Sequence, residues 1–378
     1  MLQPSVLGII SYKVFPAQMG GQKYIVDYYR ELSKHTKVIL AVSTENQVSK
    51  HLPVDNQLNT IPILFNHWYG IFNLFLCFKL ARLIRKEKID IIMIDHSYFG
   101  WLGVLLRTLT HKKLVIRSAN IETIRFKDMG RWSWRIYNYY EQWVHKQADR
   151  NFFITDEERK LAILRWGINP TISFTLTYGT HINTPTTLET HIQCRKQILQ
   201  ENQLKGNTKL FLFNGTLDYL PNQDALYIIV NELMHRLHSA RISFKIIVCG
   251  NRIKQDWEKL LTSYEDIIFK GLVNDIGLYY KGADCFICPV TLGTGIKTKL
   301  VEAVAYGQKV ICCNRSAAGF SSLSLDSLIT VIADYDWDAF ATAMIELNPN
   351  QHPITPDSFY KHFNWQTIVH ESILSLPK

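Results

Sequence analysis

Short runs of β-branched and aromatic residues alternate along this chain with longer stretches whose apolar positions recur at helical spacing. Runs at 6–11, 37–42, 89–94, 113–117, 151–154 and 172–176 read as strands, with helices between them at 21–35, 72–88, 98–109 and 132–148. A second series of strands starts at 209–214 and continues at 244–249, 267–269, 285–289 and 310–313. Its helices are expected at 222–237, 255–262, 275–281 and 297–306. Alternation of this kind makes parallel sheets joined by crossover helices, and two successive series make two doubly wound domains. The polar stretch 181–190 has no apolar period and is the expected hinge. A last amphipathic segment, 355–376, follows Pro353 and carries Phe359, Phe363, Trp365, Ile368 and Ile373. Neither an internal repeat nor a low-complexity segment interrupts the pattern.

Composition changes this picture mainly through charge. The 378 residues are 47% hydrophobic and 20% charged, which excludes disordered and collagen-like chains and agrees with two cored domains. The net charge of +9 suits a polyanionic partner: nucleic acid, an anionic membrane face or a phosphorylated substrate. Residues 1–184 carry 24 Lys and Arg against 14 Asp and Glu, and the remainder 18 against 19, so the excess lies in the first half. It clusters at Lys79, Arg82, Arg85, Lys86 and Lys88, just after the apolar stretch 68–78, and at Lys112, Lys113 and Arg117. That placement favours an anionic bilayer over nucleic acid, with a solvated basic face as the plainer reading. The stretch 68–78 falls short of the ~20 apolar residues that a membrane span requires. The first ten residues have no basic n-region and read as a strand, not as a secretory signal. The seven cysteines show no disulfide spacing, and Cys285 and Cys288 sit in an apolar run without a second pair, so inert buried thiols in a reducing compartment are expected. The expected setting is cytoplasmic, with access to the inner face of the membrane.

Open parallel sheets bind ligands beyond the carboxyl ends of their strands. The richest such loop is Leu292-Gly293-Thr294-Gly295-Ile296-Lys297-Thr298-Lys299, running into a helix with Glu302. Its glycines let backbone N–H groups approach an oxyanion, the helix aims its positive end at the same place, and Lys297 and Lys299 add full charges. Glu302 can accept bonds from a vicinal diol. The spacing fits neither a P-loop, whose glycine positions hold Thr291 and Ile296, nor a dinucleotide fingerprint, whose third glycine is Thr298. Gly215-Thr216 and Gly250-Asn251-Arg252 follow the first two strands of the second series, with Asn222 as a helix N-cap and Arg252 as a phosphate fork. In the first half, Gly20-Gly21, Asp95-His96, and Asn120 with Glu122 stand at strand ends, where a carboxylate or imidazole can bind or deprotonate a hydroxyl. Ordinary turns, helix caps and a satisfied core histidine explain each of these separately. The aromatic run from Trp132 to Trp143, interleaved with Arg131, Arg135 and Lys146, could stack single-stranded nucleic acid, but Ile136, Tyr140 and Trp143 share a helix face, which favours core packing.

Taken together, the loops resemble glycosyltransferase family 4. The resemblance is carried by Gly20-Gly21, by Ala148-Asp149-Arg150 with 154–159, and by Gly215-Thr216 with Pro221-Asn222. It continues in Gly271-Leu272-Val273 with Ala283-Asp284, and in 293–299 through Glu302-Ala303 and Gly307. It implies an α/β chain of the GT-B fold: two facing Rossmann-like doubly wound domains with a deep interdomain cleft and a C-terminal crossover helix. The implied parts are an acceptor domain at 1–183, a nucleotide-sugar domain at 184–354, and a helix at 355–378 packing back on the first domain.

The implied activity is transfer of a sugar, with retention, from a UDP- or GDP-linked donor to a glycan or lipid-linked acceptor, needing no metal and no cofactor. Gly215, Thr216, Gly250, Asn251, Arg252, Leu272, Val273, Gly293, Thr294, Gly295, Ile296, Lys297, Thr298, Lys299 and Glu302 would bind the donor. Leu272 and Val273 would lie at the base, Glu302 on the ribose and 293–299 at the diphosphate. Gly20, Gly21, Asp95, His96, Asn120 and Glu122 would serve the acceptor, and Lys297, Glu302 and His96 the chemistry. The chain departs from the family pattern at Thr294, where the first glutamate of Glu-x7-Glu belongs, in 217–222, which lacks the usual Arg and Lys, and at Ala119, where a histidine is common. Those departures leave a non-catalytic scaffold partner as the alternative, ahead of a sugar-nucleotide epimerase, with nucleic-acid binding last.

Overall fold

The computed structural model describes residues 3–17, 19–46, 58–65, 74–321 and 323–377. The chain forms two compact units, Met1–Gly179 with Trp365–Lys378, and Thr180–Asn364. Expected boundaries at 183/184 and 354/355 thus stand beside observed crossings at 179/180 and 364/365.

Unit 1 holds strands β1 (Val6–Ile10), β2 (Val38–Ser43), β3 (Asn59–Leu64), β4 (Ile91–Asp95), β5 (Lys113–Ser118), β6 (Arg150–Phe153) and β7 (Ser173–Thr175). They form one parallel sheet in the order β3-β2-β1-β4-β5-β6-β7. Its helices are α1 (Gly20–Ser33), α2 (Phe75–Lys86), α3 (Gly100–Thr110), α4 (Glu122–Asp128), α5 (Trp134–Gln147) and α6 (Asp156–Trp166). β1, β2 and β4 are buried along their whole length, as expected of strands covered on both faces. On one face Leu80, Ile84, Leu102, Leu106 and Val144 of α2, α3 and α5 pack against Ile92, Ile94 and Ile116.

Unit 2 begins with α7 (Leu188–Glu201), then β8 (Lys209–Asn214), α8 (Leu220–Ile228), a π-helical turn Ile229–Leu233, and α9 (Met234–Ser239). It continues with β9 (Phe244–Cys249), α10 (Gln255–Ser263), β10 (Ile267–Gly271), α11 (Ile276–Gly282), β11 (Cys285–Cys288) and α12 (Thr298–Ala305). β12 (Val310–Cys313), β13 (Ile329–Ile332), α13 (Trp337–Glu346) and α14 (Asp357–His362) complete it. The parallel order β10-β9-β8-β11-β12-β13 reverses direction between β8 and β11, the switch point at which open α/β sheets take ligands. The last helix, α15 (Trp365–Ser375), returns to unit 1, where Ser372 Oγ lies 3.2 Å from the Tyr28 hydroxyl of α1.

Unit 1 is tied together by a buried cation. The side chain of Arg117 is fully buried, its Nε donating to Asp95 Oδ1 at 2.6 Å. Its guanidinium stands 4.5, 4.0 and 5.1 Å from the ring centres of Tyr24, Tyr28 and Tyr29. Tyr29 donates to the other Asp95 oxygen at 2.7 Å, and Tyr24 to the Leu176 carbonyl at 3.1 Å. Gly8 leaves room for this arrangement, since a Cβ there would come within 2.7 Å of both the Tyr29 ring and Leu40.

Several expectations need correction. Arg117 belongs to this cage and is no surface base, while Lys113 is exposed at the opposite end of β5. Of the expected buried face of Ile136, Tyr140 and Trp143, only Tyr140 packs against the core: Ile136 is 65% and Trp143 42% exposed, with Trp132 at 83% and Tyr139 at 73%. Glu141, Val144 and His145 turn inward instead, because polar groups at the inner end of α5 find hydrogen-bond partners there. Segment 355–376 is two helices, α14 and α15, and α7 begins at Leu188 inside the expected hinge, capped by Thr187 accepting from the Thr190 N–H at 3.2 Å. Of the apolar stretch 68–78, residues 68–73 lie outside the described residues. Among the described residues, no helix is long and apolar enough to cross a membrane.

Replacing Arg117 by Met strands the Asp95 carboxylate in the interior. The variant should lose about 3–5 kcal/mol of unit 1 stability in denaturant unfolding, much of it recovered in Asp95→Asn/Arg117→Met. A single variant as stable as the double would show that the cage is dispensable.

Candidate active site

In unit 2 the expected donor residues gather at the carboxyl ends of β8, β9, β10 and β11. Asn222, buried three residues into α8 and so not its cap, donates from Nδ2 to the Thr216 carbonyl at 2.9 Å. Its Oδ1 accepts from Lys299 Nζ at 2.8 Å, and the same ammonium donates to the Asn214 carbonyl at 3.0 Å. Lys299 also sits 4.5 Å from the Phe213 ring centre, and burial lowers its pKa. It is therefore a cross-brace between β8, α8 and α12, where the sequence suggested a charge offered to the diphosphate. The neighbouring loops are laced by backbone bonds, Leu217 N–H to Asn251 O at 2.9 Å and Gly250 N–H to Gly271 O at 2.8 Å. A side chain at Gly250 would collide with the Gly215 carbonyl oxygen.

The loop from β11 to α12 turns through Gly293 and Gly295, at φ 79° and 72°, backbone that favours glycine. A Cβ on Gly293 would lie 3.7 Å from the Tyr219 hydroxyl and 3.8 Å from Pro221, so this loop faces the one leaving β8. Lys297 is the N-cap residue of α12, and its ammonium curls back to the Gly293 and Thr294 carbonyls at 3.4 and 3.3 Å. Ile296 is buried behind the loop, and Thr298 opens the helix. Glu302 faces Tyr280, whose hydroxyl lies 3.4 Å from Oε2 and accepts from Asn214 Nδ2 at 2.9 Å. Arg252 pairs with Asp218 at 2.8 Å. Leu272, exposed, and Val273 continue from β10. The first N–H groups of α12 have no partner within the helix and carry its positive end, so the loop, helix and Lys297 form an anion-facing surface with a carboxylate nearby.

In unit 1 the expected acceptor residues meet around His96. This residue follows β4 at φ 63°, strained for a side chain with Cβ, and is held there by its N–H donating to Arg117 O at 2.9 Å. Its Nε2 lies 3.3 Å from the Tyr12 hydroxyl, and its Nδ1 stands 3.2 Å from Glu122 Oε1, outside hydrogen-bond alignment. Glu122, first residue of α4, accepts from Tyr98 at 2.6 Å and from Arg125 at 2.8 Å. Burial opposes its charge, but His96, Arg125 and Tyr98 outweigh burial and bring its pKa down to about 2. Gly20 and Gly21 begin α1, where a Cβ on Gly21 would touch the Tyr12 hydroxyl at 3.7 Å. Asn120 is half-buried just before α4. Asp95 does not join this group, since Arg117 and Tyr29 occupy its carboxylate.

Sequence reasoning missed the groups that position this cluster. Tyr12, Tyr98 and Arg125 surround His96 and Glu122, and Glu141 of α5 caps α4. Its Oε1 accepts the Glu122 N–H at 2.9 Å, and its Oε2 accepts from the Thr123 N–H at 2.9 Å and the Thr123 hydroxyl at 2.6 Å. Burial raises Glu141 to about 7 in spite of these donors, with Glu122 adding to the shift. No local pattern marks a capping residue that comes from another helix. In unit 2 Tyr280 is equally remote in sequence from Asn214, whose Nδ2 donates to its hydroxyl.

A family model described as glycosyl transferases group 1 matches residues 208–350, and one described as glycosyltransferase family 4 matches residues 18–173. Among curated proteins, the chain is 24% identical over 245 residues to the UDP-Gal:alpha-D-GlcNAc-diphosphoundecaprenol alpha-1,3-galactosyltransferase of Escherichia coli. That match takes in 62% of this chain and 60% of the relative. Among solved structures, sucrose-phosphate synthase from Thermosynechococcus elongatus superposes with a TM-score of 0.72 at 15% identity, covering 97% of each chain. The Anabaena protein HepE in complex with UDP and glucose does so with a TM-score of 0.66 at 14% identity, covering 98% of this chain and 99% of its own.

Glu141 also supplies a test of the unit 1 cluster. Its folded pKa lies above the ordinary 4.5, so the stability it confers is full below that value and is lost as pH rises through about 7. Glu141→Gln removes this dependence. Its destabilisation in denaturant unfolding should grow on the order of 2 kcal/mol from pH 8 to pH 5. A cost that does not vary with pH would mean that this carboxyl is not the one titrating.

Proposed function

The chain belongs to the family 4-like glycosyltransferases of GT-B fold, and on that premise we propose that it moves a sugar, with retention, from a nucleoside-diphosphate sugar to a lipid-linked or glycan acceptor. The observation that carries this reading is the 293–299 loop. Two left-handed glycines, a helix N-terminus and Lys297 face one place, with Glu302 on the same helix. A departing diphosphate needs stabilisation as the glycosidic bond breaks to an oxocarbenium-like sugar, and oriented N–H dipoles with lysine charge provide it without proton transfer. In the proposal Lys297 exchanges its two loop carbonyls for phosphate oxygens. Lys299 keeps the loop after β8 in place, and so serves the site that the missing Arg and Lys of 217–222 would have served.

Glu302 is assigned to the ribose diol, with Leu272 and Val273 beside the base, UDP or GDP. Gly215, Thr216, Gly250 and Asn251 line the floor, where side chains would crowd the ligand. In unit 1 His96, positioned by Glu122 and Tyr12, is assigned to the acceptor or the sugar, together with Gly20, Gly21 and Asn120. For retention, the leaving phosphate takes the proton of the attacking acceptor hydroxyl on the face from which it departs. The relative acting on a diphosphoundecaprenol-linked sugar supports a lipid-linked acceptor, and an acceptor of that kind calls for contact with an anionic membrane face. No metal takes part in the proposed step.

Thermal-shift measurements with UDP, GDP and their sugars should show stabilisation by at least one at millimolar concentration. Glu302→Ala and Lys297→Ala should each weaken that ligand about tenfold or more, the loss expected of one charge-assisted contact. Unchanged affinity in both variants would remove the donor assignment. With a responding donor, NMR of the product anomer should show the donor's own configuration.

A further inference from the structure

The aromatic face of α5 is exposed, and its composition says what it meets. Ile136, Tyr139 and Trp143 recur at intervals of three and four residues, which lines them along one flank of the helix for about 10 Å, and Trp132 stands just before its first residue. All four are exposed, Trp132 at 83%. Between 127 and 147 the other exposed side chains are Lys127, Arg131, Arg135 and Lys146, and none is acidic. Three of these cations lie over aromatic rings, Arg131 at 4.7 Å from Phe126 and Arg135 and Lys127 each at 5.4 Å from Trp134.

A second helix of the same layer repeats the pattern. α2 and α5 both flank α3, and in parallel α/β units both begin at the carboxyl edge of the sheet, the edge that carries His96 and Glu122. The start of α2 exposes Leu74, Phe75 and Phe78 at 60, 78 and 68%, followed by exposed Lys79 and Arg82. No acidic residue is exposed from 74 to 88.

We propose that this face, the outer stripe of α5 with the first turn of α2, docks on the surface of an anionic lipid bilayer. Trp and Tyr bordered by Lys and Arg suit the headgroup boundary, where the rings enter the acyl edge and the cations meet lipid phosphates. The absence of exposed acid along both helices is the complement of a negative surface. The inference rests on the reading of a lipid-linked acceptor for its purpose: it brings the carboxyl edge of unit 1 to the layer in which such an acceptor lies.

The test uses the whole chain with two sets of vesicles, phosphatidylcholine alone and phosphatidylcholine with phosphatidylglycerol in equal parts. Wild type should co-sediment with the anionic set and not with the neutral set. Trp132→Ser/Ile136→Ser/Tyr139→Ser and, separately, Arg131→Glu/Arg135→Glu should each reduce that partition about tenfold or more. UDP or GDP thermal shifts, measured in parallel, should match wild type in both variants. No vesicle binding by wild type, or binding undiminished in both variants, overturns the proposal. So does a stripe substitution that abolishes self-association or oligonucleotide binding while leaving vesicle binding intact. Vesicle binding as expected with no response to any nucleotide would instead remove the transferase reading and leave the docking face standing.

Discussion

A guanidinium with no access to water is the constraint on which unit 1 is built. Arg117 cannot lose its proton at any relevant pH, so its burial is tolerable only if a carboxylate and polarisable rings surround it. Asp95 and three tyrosines of one helix meet that demand. Each partner then fixes something else. Asp95 locks the end of β4 to the end of β5, Tyr28 reaches α15 through Ser372, and Tyr24 reaches the end of β7 through Leu176. The backbone of Arg117 in turn holds His96 in its left-handed conformation. The position of the imidazole beside Glu122 is thus a downstream effect of a charge lying one residue deeper in the sheet.

Unit 2 solves a comparable problem with a lysine. Its sheet has the same strand order about the switch point, but here Lys299 binds the end of β8, the start of α8 and its own helix to one another. The glycines around it serve that compactness: Gly250 lets the loop leaving β9 slide under the Gly215 carbonyl, and Gly293 lets the opposite loop approach Tyr219. The two lysines separated by one residue consequently have different employment, Lys299 bracing the frame while Lys297 curls back onto the carbonyls of its own loop.

Much of this was legible in the chain. The strands buried on both faces announced themselves as apolar runs, and the glycine-containing loops stood where parallel strands end. Two of the four edge strands were missed: β3 carries Pro62 and half-exposed positions, and β13 has two exposed residues of four. Helix α5 was misread because apolar periodicity identifies the inward face only when the core is apolar. Here the core side carries Glu141 and His145, satisfied by Thr123, Ser118 and Asn151, together with Tyr137 and Tyr140, while Ile136, Tyr139 and Trp143 face outward. The same blindness hid Arg117, whose surroundings depend on residues 22 and 88–93 positions away in sequence. Spacing reports local neighbours such as Arg125 beside Glu122, whereas Tyr12 and Glu141 come to His96 and Glu122 from 84 and 19 positions away.

The double crossing between units has an implication for how the molecule comes into being. Unit 1 is interrupted in the sequence: its sheet is encoded by the first 179 residues, but α15 arrives only after all of unit 2. There Trp365 packs against Gly179, Tyr178 and Tyr24, the last of these on the helix that supplies the Arg117 cage. During synthesis the half that leaves the ribosome first is therefore the half that finishes last. Its tyrosine helix stays uncovered while unit 2 is being made, an interval in which exposed apolar surface is most open to misassembly.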